Sequence, residues 1–234
     1  MNRSFERPVE KAATHLDMGL RSYMQKVFAM MGLGLAVSGG VAYFVANTPS
    51  IIIPLLTTPL KWVFLIATFA IPLTLGMGIQ RLKASTAQAL FWTYAGLMGV
   101  TASWILLAYT YESVTRVFLI TACMFGSMSL YGYTTKRDLT AWGSFLFMGL
   151  FGLIIASLVN LFMGSTVVQM ALSVIAVIVF TGLTAYDVQM IRNFYSSGMS
   201  QEAETKAATL GALHLYLDFV NIFFALMRLF GDRR

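Results

Sequence analysis

Long apolar stretches separated by short charged clusters set the character of this chain. Charge is absent from Val27–Leu60, Trp62–Gln80, Ala84–Tyr111 and Val117–Thr135, and Leu139–Ile191 is broken only by Asp187. A further stretch, Ala207–Leu217, runs into Asp218, beyond which the apolar pattern continues to Met227. A helix that crosses a bilayer needs about 20 mostly apolar residues. The first stretch therefore holds one helix plus a connection, and Leu139–Ile191 holds two helices. The pattern predicts seven helices, over residues 24–46, 60–80, 86–110, 115–135, 141–163, 167–192 and 207–229. Asn47–Thr58, with Pro49 and Pro54 inside it and Pro59 beside it, reads as a non-helical loop. Met163–Ser165 reads as the tightest turn, and Asn193–Lys206 as a long polar connection.

No soluble domain interrupts this pattern. Residues 1–23 read as a cytoplasmic N-terminal segment and 24–234 as a single transmembrane domain, which makes the fold class an all-α polytopic membrane protein. Two stripes of small residues, Gly32, Ala36 and Gly40 in the first helix and Gly149, Gly152 and Ala156 in the fifth, are expected to let helix backbones approach closely.

Composition agrees. The chain is 58% hydrophobic with 11% charged residues, where a soluble domain carries about 25%. The net charge of +6 suits topology rather than nucleic acid, which is not expected as a partner. With the N-terminus cytoplasmic, the inner side collects eleven basic residues: Arg3, Arg7, Lys11, Arg21, Lys26, Arg81, Lys83, Lys136, Arg137, Arg192 and Lys206. The two best-defined outer connections hold only Lys61 and Arg116. The positive-inside rule then places the N-terminus in the cytoplasm. Arg228, Arg233 and Arg234 fall outside if the last helix spans fully, and inside if it is re-entrant. The N-terminus mixes basic residues with Glu6, Glu10 and Asp17 and does not read as a cleaved signal, so the first helix is expected to stay as an anchor. A single cysteine, Cys123, excludes an intrachain disulfide.

Two carboxylates stand against this background. Asp187 closes the apolar run Val167–Tyr186, and Asp218 lies inside Ala207–Met227. A charged side chain at bilayer depth costs ~2.5–3.5 kcal/mol even on insertion scales. Such a pair needs each other, a cation or a proton. On the last helix His214, Asp218 and Asn221 share one face at i, i+4, i+7. Thr181, Thr184 and Asp187 form a looser stripe on the preceding helix, and Ser157 and Asn160 add polar groups before it. These stripes are expected to face inward, Asn160, Thr184, His214 and Asn221 lining a polar pathway. Two adjacent carboxylates in a low dielectric can hold one shared proton near neutral pH. Fully ionised, their oxygens suit Ca²⁺. Arg81, near the cytoplasmic end of the second predicted helix, is the candidate competitor for that cation.

Signals of soluble enzymes are missing: there is no glycine-rich phosphate loop, no CxxC, no HExxH and no Ser–His–Asp spacing. The chain is not expected to be an enzyme or to carry a resident cofactor.

The segments SLYGYTTKRDLTAWGSFLFMGLFGLIIASLVN (129–160), VFTGLTAYDVQMIRNFY (179–195) and LGALHLYLDFVNIFFALMRLFGDRR (210–234) closely resemble the Bax inhibitor-1 family, in particular its proteobacterial inner-membrane branch. The resemblance covers nearly the whole chain and is strongest from residue 127 onward. It implies a seven-helix fold with the last helix central and the other six around it. It also implies a pH-sensitive calcium leak in the cell inner membrane, with the aspartates of TAYD (Asp187) and LYLDF (Asp218) as sensor and ion ligands. An arginine on the second helix, matched here by Arg81, would be the latch. The expected partners are the bilayer, Ca²⁺ and protons. The family's links to cell death concern its eukaryotic members, and no residue here carries them over.

Two other functions compete. An interaction protein that modulates a membrane protease or quality-control complex would depend on the N-terminus rather than on the aspartates. Intramembrane aspartyl proteolysis is echoed by Tyr186–Asp187, but Leu215–Tyr216–Leu217–Asp218 lacks the glycines of GxGD and the chain has no Pro-Ala-Leu triplet.

Overall fold

The architecture comes from a computed structural model, which describes the backbone of residues 3–58 and 60–234. Side chains are described from Met18 onward, except at 53, 55–57, 59–62 and 65. Arg3, Arg7, Lys11, Lys61 and Pro59, which enter the topology and loop expectations, therefore lie outside the described side chains.

Eight helices are present among the described residues: α1 (Arg3–Ala46), α2 (Pro49–Thr57), α3 (Leu60–Gly78), α4 (Ala84–Ala108), α5 (Tyr111–Thr134), α6 (Thr140–Met163), α7 (Thr166–Phe194) and α8 (Gln201–Phe230). Six of them are long and apolar enough to cross a membrane: Met18–Ala46 of α1, and α4 to α8. The chain is a multi-pass membrane protein. α3 is a 19-residue apolar helix whose described side chains run without a break only over the shorter piece Ile66–Gly78, so a seventh span is not established among the described residues.

Three expectations need correction. The first helix starts at Arg3 rather than 24. Its 44 residues reach about 66 Å at about 1.5 Å per residue, twice the ~30 Å hydrocarbon core. The expected loop at 47–58 contains α2. Pro49 occupies its first turn, where a missing N–H costs nothing and a fixed φ helps, and Ile52 packs with Val45 of α1. The glycines of the small-residue stripe of α1 make no close contact, and of the two glycines in the α6 stripe only Gly149 meets a neighbour. A Cβ at Gly32, Gly40 or Gly152 would meet nothing within 4 Å, and at Gly149 only Val179 at 3.4 Å. The face of α1 that does pack is turned by two residues. It carries Gly34, against Phe91 and Tyr216, and Ser38, whose backbone oxygen a Cβ on Gly99 would approach to 2.6 Å.

α8 is the central element. Of its apolar window 67% is buried, against 6% for α6. One side of α8 meets α1 and α4, with α3 behind; the other meets α5 and α7, while α6 packs on α7 alone. The expected ring of six around the last helix is therefore incomplete at α6. Tyr216 anchors the first side: Ser38 donates to the Ala95 carbonyl at 2.7 Å, and the Tyr216 hydroxyl then donates to Ser38 Oγ at 2.6 Å. Phe91 and Tyr94 stack edgewise on the Tyr216 ring. In lipid, where burying apolar surface yields little, such packing and interhelical hydrogen bonds carry the association.

On the second side, α5 crosses α7 where Gly132 lies against the Ala185 backbone, and α6 crosses it where Gly143 lies against the Tyr186 ring. Side chains there would force the helices apart. Gln189 of α7 fixes the α5–α6 connection, accepting from the Leu139 N–H at 2.9 Å and donating to the Arg137 carbonyl at 2.8 Å. The α6–α7 turn is as tight as expected. Gly164 adopts φ 64°, a left-handed conformation that closes the helix end at little cost for glycine.

α8 runs unbroken through 30 residues, and the tail after it docks on the α4–α5 connection. Thr110 donates its N–H to Asp232, Arg234 to Ala108, and Asp232 to Ser113 Oγ. Arg116 pairs with the Asp232 carboxylate at 2.8 Å, and Arg234 lies over the Tyr111 ring. A re-entrant last segment is thereby ruled out: the C-terminus lies at the α4–α5 end, opposite the α7–α8 connection.

Candidate functional site: a buried carboxylate pair

α7 and α8 run antiparallel, with Gly211 against Ile191 bringing them close at the α7–α8 end. That register sets Asp187 beside the face of α8 that carries His214 and Asp218. Both carboxylates are almost wholly buried, at 6% exposure for Asp187 and 4% for Asp218, and they lie within electrostatic reach of each other. His214 Nδ1 is 3.9 Å from Asp187 Oδ2, a charge contact but too long for a hydrogen bond.

Their hydrogen bonding is incomplete. Among the described residues five buried side-chain polar atoms have no protein partner: Ser129 Oγ, Thr181 Oγ1, Asp187 Oδ1, His214 Nδ1 and Asp218 Oδ2. Three of the five belong to the aspartate–histidine cluster. Ser129 and Thr181 lie about one turn back along α5 and α7 from the Gly132–Ala185 crossing. A buried charge or polar group left unpaired is costly, and a concentration of them needs an explanation beyond packing.

The cluster opens toward one end of the bundle. A cavity of about 530 Å³ is bounded by α1, the turn after α3, the end of α7, the α7–α8 connection and the first half of α8, with His214 in its wall. Lys206 and Glu202 stand at its rim, paired at 3.3 Å, and Lys26 pairs with Glu204 at 3.6 Å nearby. The side chain of His214, one-third exposed, is thus placed between this cavity and Asp187.

The remaining expected residues divide. Thr184 is wholly buried one turn from Asp187 and donates to the Phe180 carbonyl of its own helix at 2.8 Å. Asn221 likewise bonds its own helix, at Leu217. Asn160 is not in the cluster: it caps the α6–α7 turn, accepting from the Ser165 N–H, and lines a different cavity. Arg81 sits in the exposed turn after α3 and forms no ion pair with a described carboxylate. Its neighbours Ile79 and Gln80, not Arg81 itself, line the cavity that reaches His214. Ser129 is a group that sequence reasoning missed. A serine in an apolar helix usually bonds its own backbone, so only its i, i+3 relation to Gly132 marks the buried face. Among the described residues no group of three His, Cys, Asp or Glu side chains is arranged to hold a metal ion.

Comparison with known proteins bears on the whole chain. The family model described as "Inhibitor of apoptosis-promoting Bax1" matches residues 20–234. The chain is 43% identical to the inner membrane protein YbhL of Escherichia coli over 92% of this chain and 94% of the relative. It is 40% identical to a Caulobacter vibrioides protein over 100% and 98% of the two chains. A membrane protein of Streptococcus pyogenes is 36% identical over 93% of this chain and 96% of its own.

Proposed function

This chain belongs to the Bax inhibitor-1 family of membrane proteins, and from that premise we propose that it is a proton-gated calcium leak of the inner membrane. The observation that carries the reading is the pair of buried carboxylates on adjacent helices with oxygens left unpartnered by the protein. A structural ion pair would have satisfied them. A shared proton satisfies them in one state, and a cation in the other. Two carboxylates without a third charged ligand suit an ion in passage, held weakly enough to leave, rather than a resident metal.

The inner-membrane location follows the E. coli relative, and the cytoplasmic N-terminus follows the charge asymmetry. In that orientation the His214 cavity opens to the cytoplasm. His214 would then pass protons between that cavity and Asp187, while Lys206–Glu202 tunes the cation concentration at the rim. Arg81 would act as a latch by a shift of the turn that holds it, since Gln80 beside it already lines the cavity wall. Its guanidinium would offer the pair a planar two-pronged contact in competition with Ca²⁺.

The test is Ca²⁺ flux into proteoliposomes between pH 5 and 8, comparing wild type with Asp218→Asn. Wild type should show flux that changes with pH, and the variant a flat profile. Absence of wild-type flux above empty liposomes at every pH would overturn the reading.

A further inference from the structure

A second polar cavity, of about 290 Å³, lies where the α6–α7 turn meets the last turn of α8. It shares no residue with the His214 cavity. Its polar wall consists of Ser157 and Asn160 from α6, Ser165, Gln169 and Ser173 from the start of α7, and Arg228 from α8.

The hydrogen bonds inside it are local. Asn160 Oδ1 accepts from Ser165, Ser173 donates to the Gln169 carbonyl at 2.9 Å, and Arg228 Nε donates to its own helix at Phe224 at 3.3 Å. Among the described residues no acceptor meets the amide N–H groups of half-buried Asn160 and exposed Gln169, or the Ser157 hydroxyl and the outer N–H groups of Arg228, both exposed. No described carboxylate pairs with Arg228. Asp232, the acid nearest in sequence, is engaged by Arg116, and Asp218 lies ten residues back, about 15 Å along the helix. One net positive charge and a set of convergent donors thus face a cavity with no counter-charge. The cavity lies at the end of the bundle beside the exposed apolar side chains Leu161, Phe162 and Val167.

A guanidinium with flanking amide and hydroxyl donors matches a tetrahedral phosphate. We propose that this cavity binds a phosphate group, that of a phospholipid headgroup entering from the leaflet at the α4–α5 end. The apolar flanks at Leu153, Leu161 and Leu172 would take the first carbons of its acyl chains. The site is independent of the aspartate pair and of the calcium reading.

The experiment titrates purified, detergent-solubilised protein with phosphatidylglycerol, with diacylglycerol (the same tails without phosphate), and with phosphatidylglycerol in the presence of inorganic phosphate, counting bound lipid by native mass spectrometry. Wild type should hold one phosphatidylglycerol saturably and diacylglycerol not at all. Arg228→Gln should weaken that binding by about tenfold or more, the factor carried by a charge-assisted hydrogen bond. Arg228→Lys should fall between, because it keeps the charge and loses the fork. Ser157→Leu, which fills the cavity without touching the charge, should also abolish the bound lipid and guards against misfolding of the arginine variants. Displacement by millimolar inorganic phosphate would identify the free anion as an alternative occupant of the same site. Equal phosphatidylglycerol binding by wild type, Arg228→Gln and Ser157→Leu would overturn the proposal, as would equal binding of diacylglycerol.

Discussion

Replacing Asp218 with asparagine should stabilise the protein while removing its function. The carboxylate is 4% exposed and its Oδ2 has no partner. Leaving a buried polar group unsatisfied costs about 1–3 kcal/mol, more when it is charged, and a charged residue at the middle of a membrane helix costs ~2.5–3.5 kcal/mol on insertion scales. Asparagine keeps the shape, removes the charge and presents N–H donors beside the Asp187 carboxylate. A gain of about 1–3 kcal/mol, at about 2–4 °C per kcal/mol for a chain of this size, should raise the melting temperature by about 2–12 °C. The assay is thermal unfolding of detergent-solubilised wild type, Asp218→Asn and Asp187→Asn at neutral pH, followed by intrinsic fluorescence. Such a trade of stability for function is common at working sites. A melting temperature that falls in both variants would refute the reasoning: the pair would then be a stabilising contact, and its unpartnered oxygens would carry no function.

Further consequences are specific. Gly132→Val should sharply reduce the yield of folded protein, since its Cβ would run into the Ala185 backbone at the α5–α7 crossing; monodisperse protein at wild-type yield would contradict that packing. Arg81→Ala should raise basal Ca²⁺ leak at neutral pH, and Arg81→Lys should resemble alanine because it lacks the planar fork; wild-type leak in both would make Arg81 a headgroup-level topology marker. On a Cys123→Ser background, a cysteine replacing Ser85 should resist an impermeant thiol reagent in intact cells, while one replacing the exposed Glu112 should label. Ser113, the neighbouring position, is wholly buried under the C-terminal tail and would be a misleading probe.

Much of the fold could be read from the sequence because charge is so scarce that each cluster marks a connection. Helices α4 to α8 lie within three residues of their expected limits except at the start of α5 and α8. There Tyr111 and Gln201 begin the helices earlier because Thr110 and Ser200 accept from the Ser113 and Ala203 N–H groups as caps. Proline misled at α2, where counting prolines suggested a loop, but Pro49 opens a short helix that also carries Pro54 inside it. Small-residue spacing misled as well: Gly32/Gly40 and Gly34/Ser38 have the same periodicity, and only tertiary packing chooses the face. The aspartate pair was legible because a carboxylate in an apolar run is expensive wherever it lies. Its surroundings were not, since the position of Arg81 depends on where a turn ends. Asn160 has the composition of a pathway residue and the location of a cap.

The most direct test compares pH profiles of Ca²⁺ flux for Asp187→Asn, Asp218→Asn and the double variant in proteoliposomes from pH 5 to 8. If the two carboxylates share one proton, either substitution alone should remove most of the pH dependence, and the second should change nothing further. Two single variants that each keep the wild-type profile, or effects that simply add in the double variant, would contradict a coupled pair as the gate.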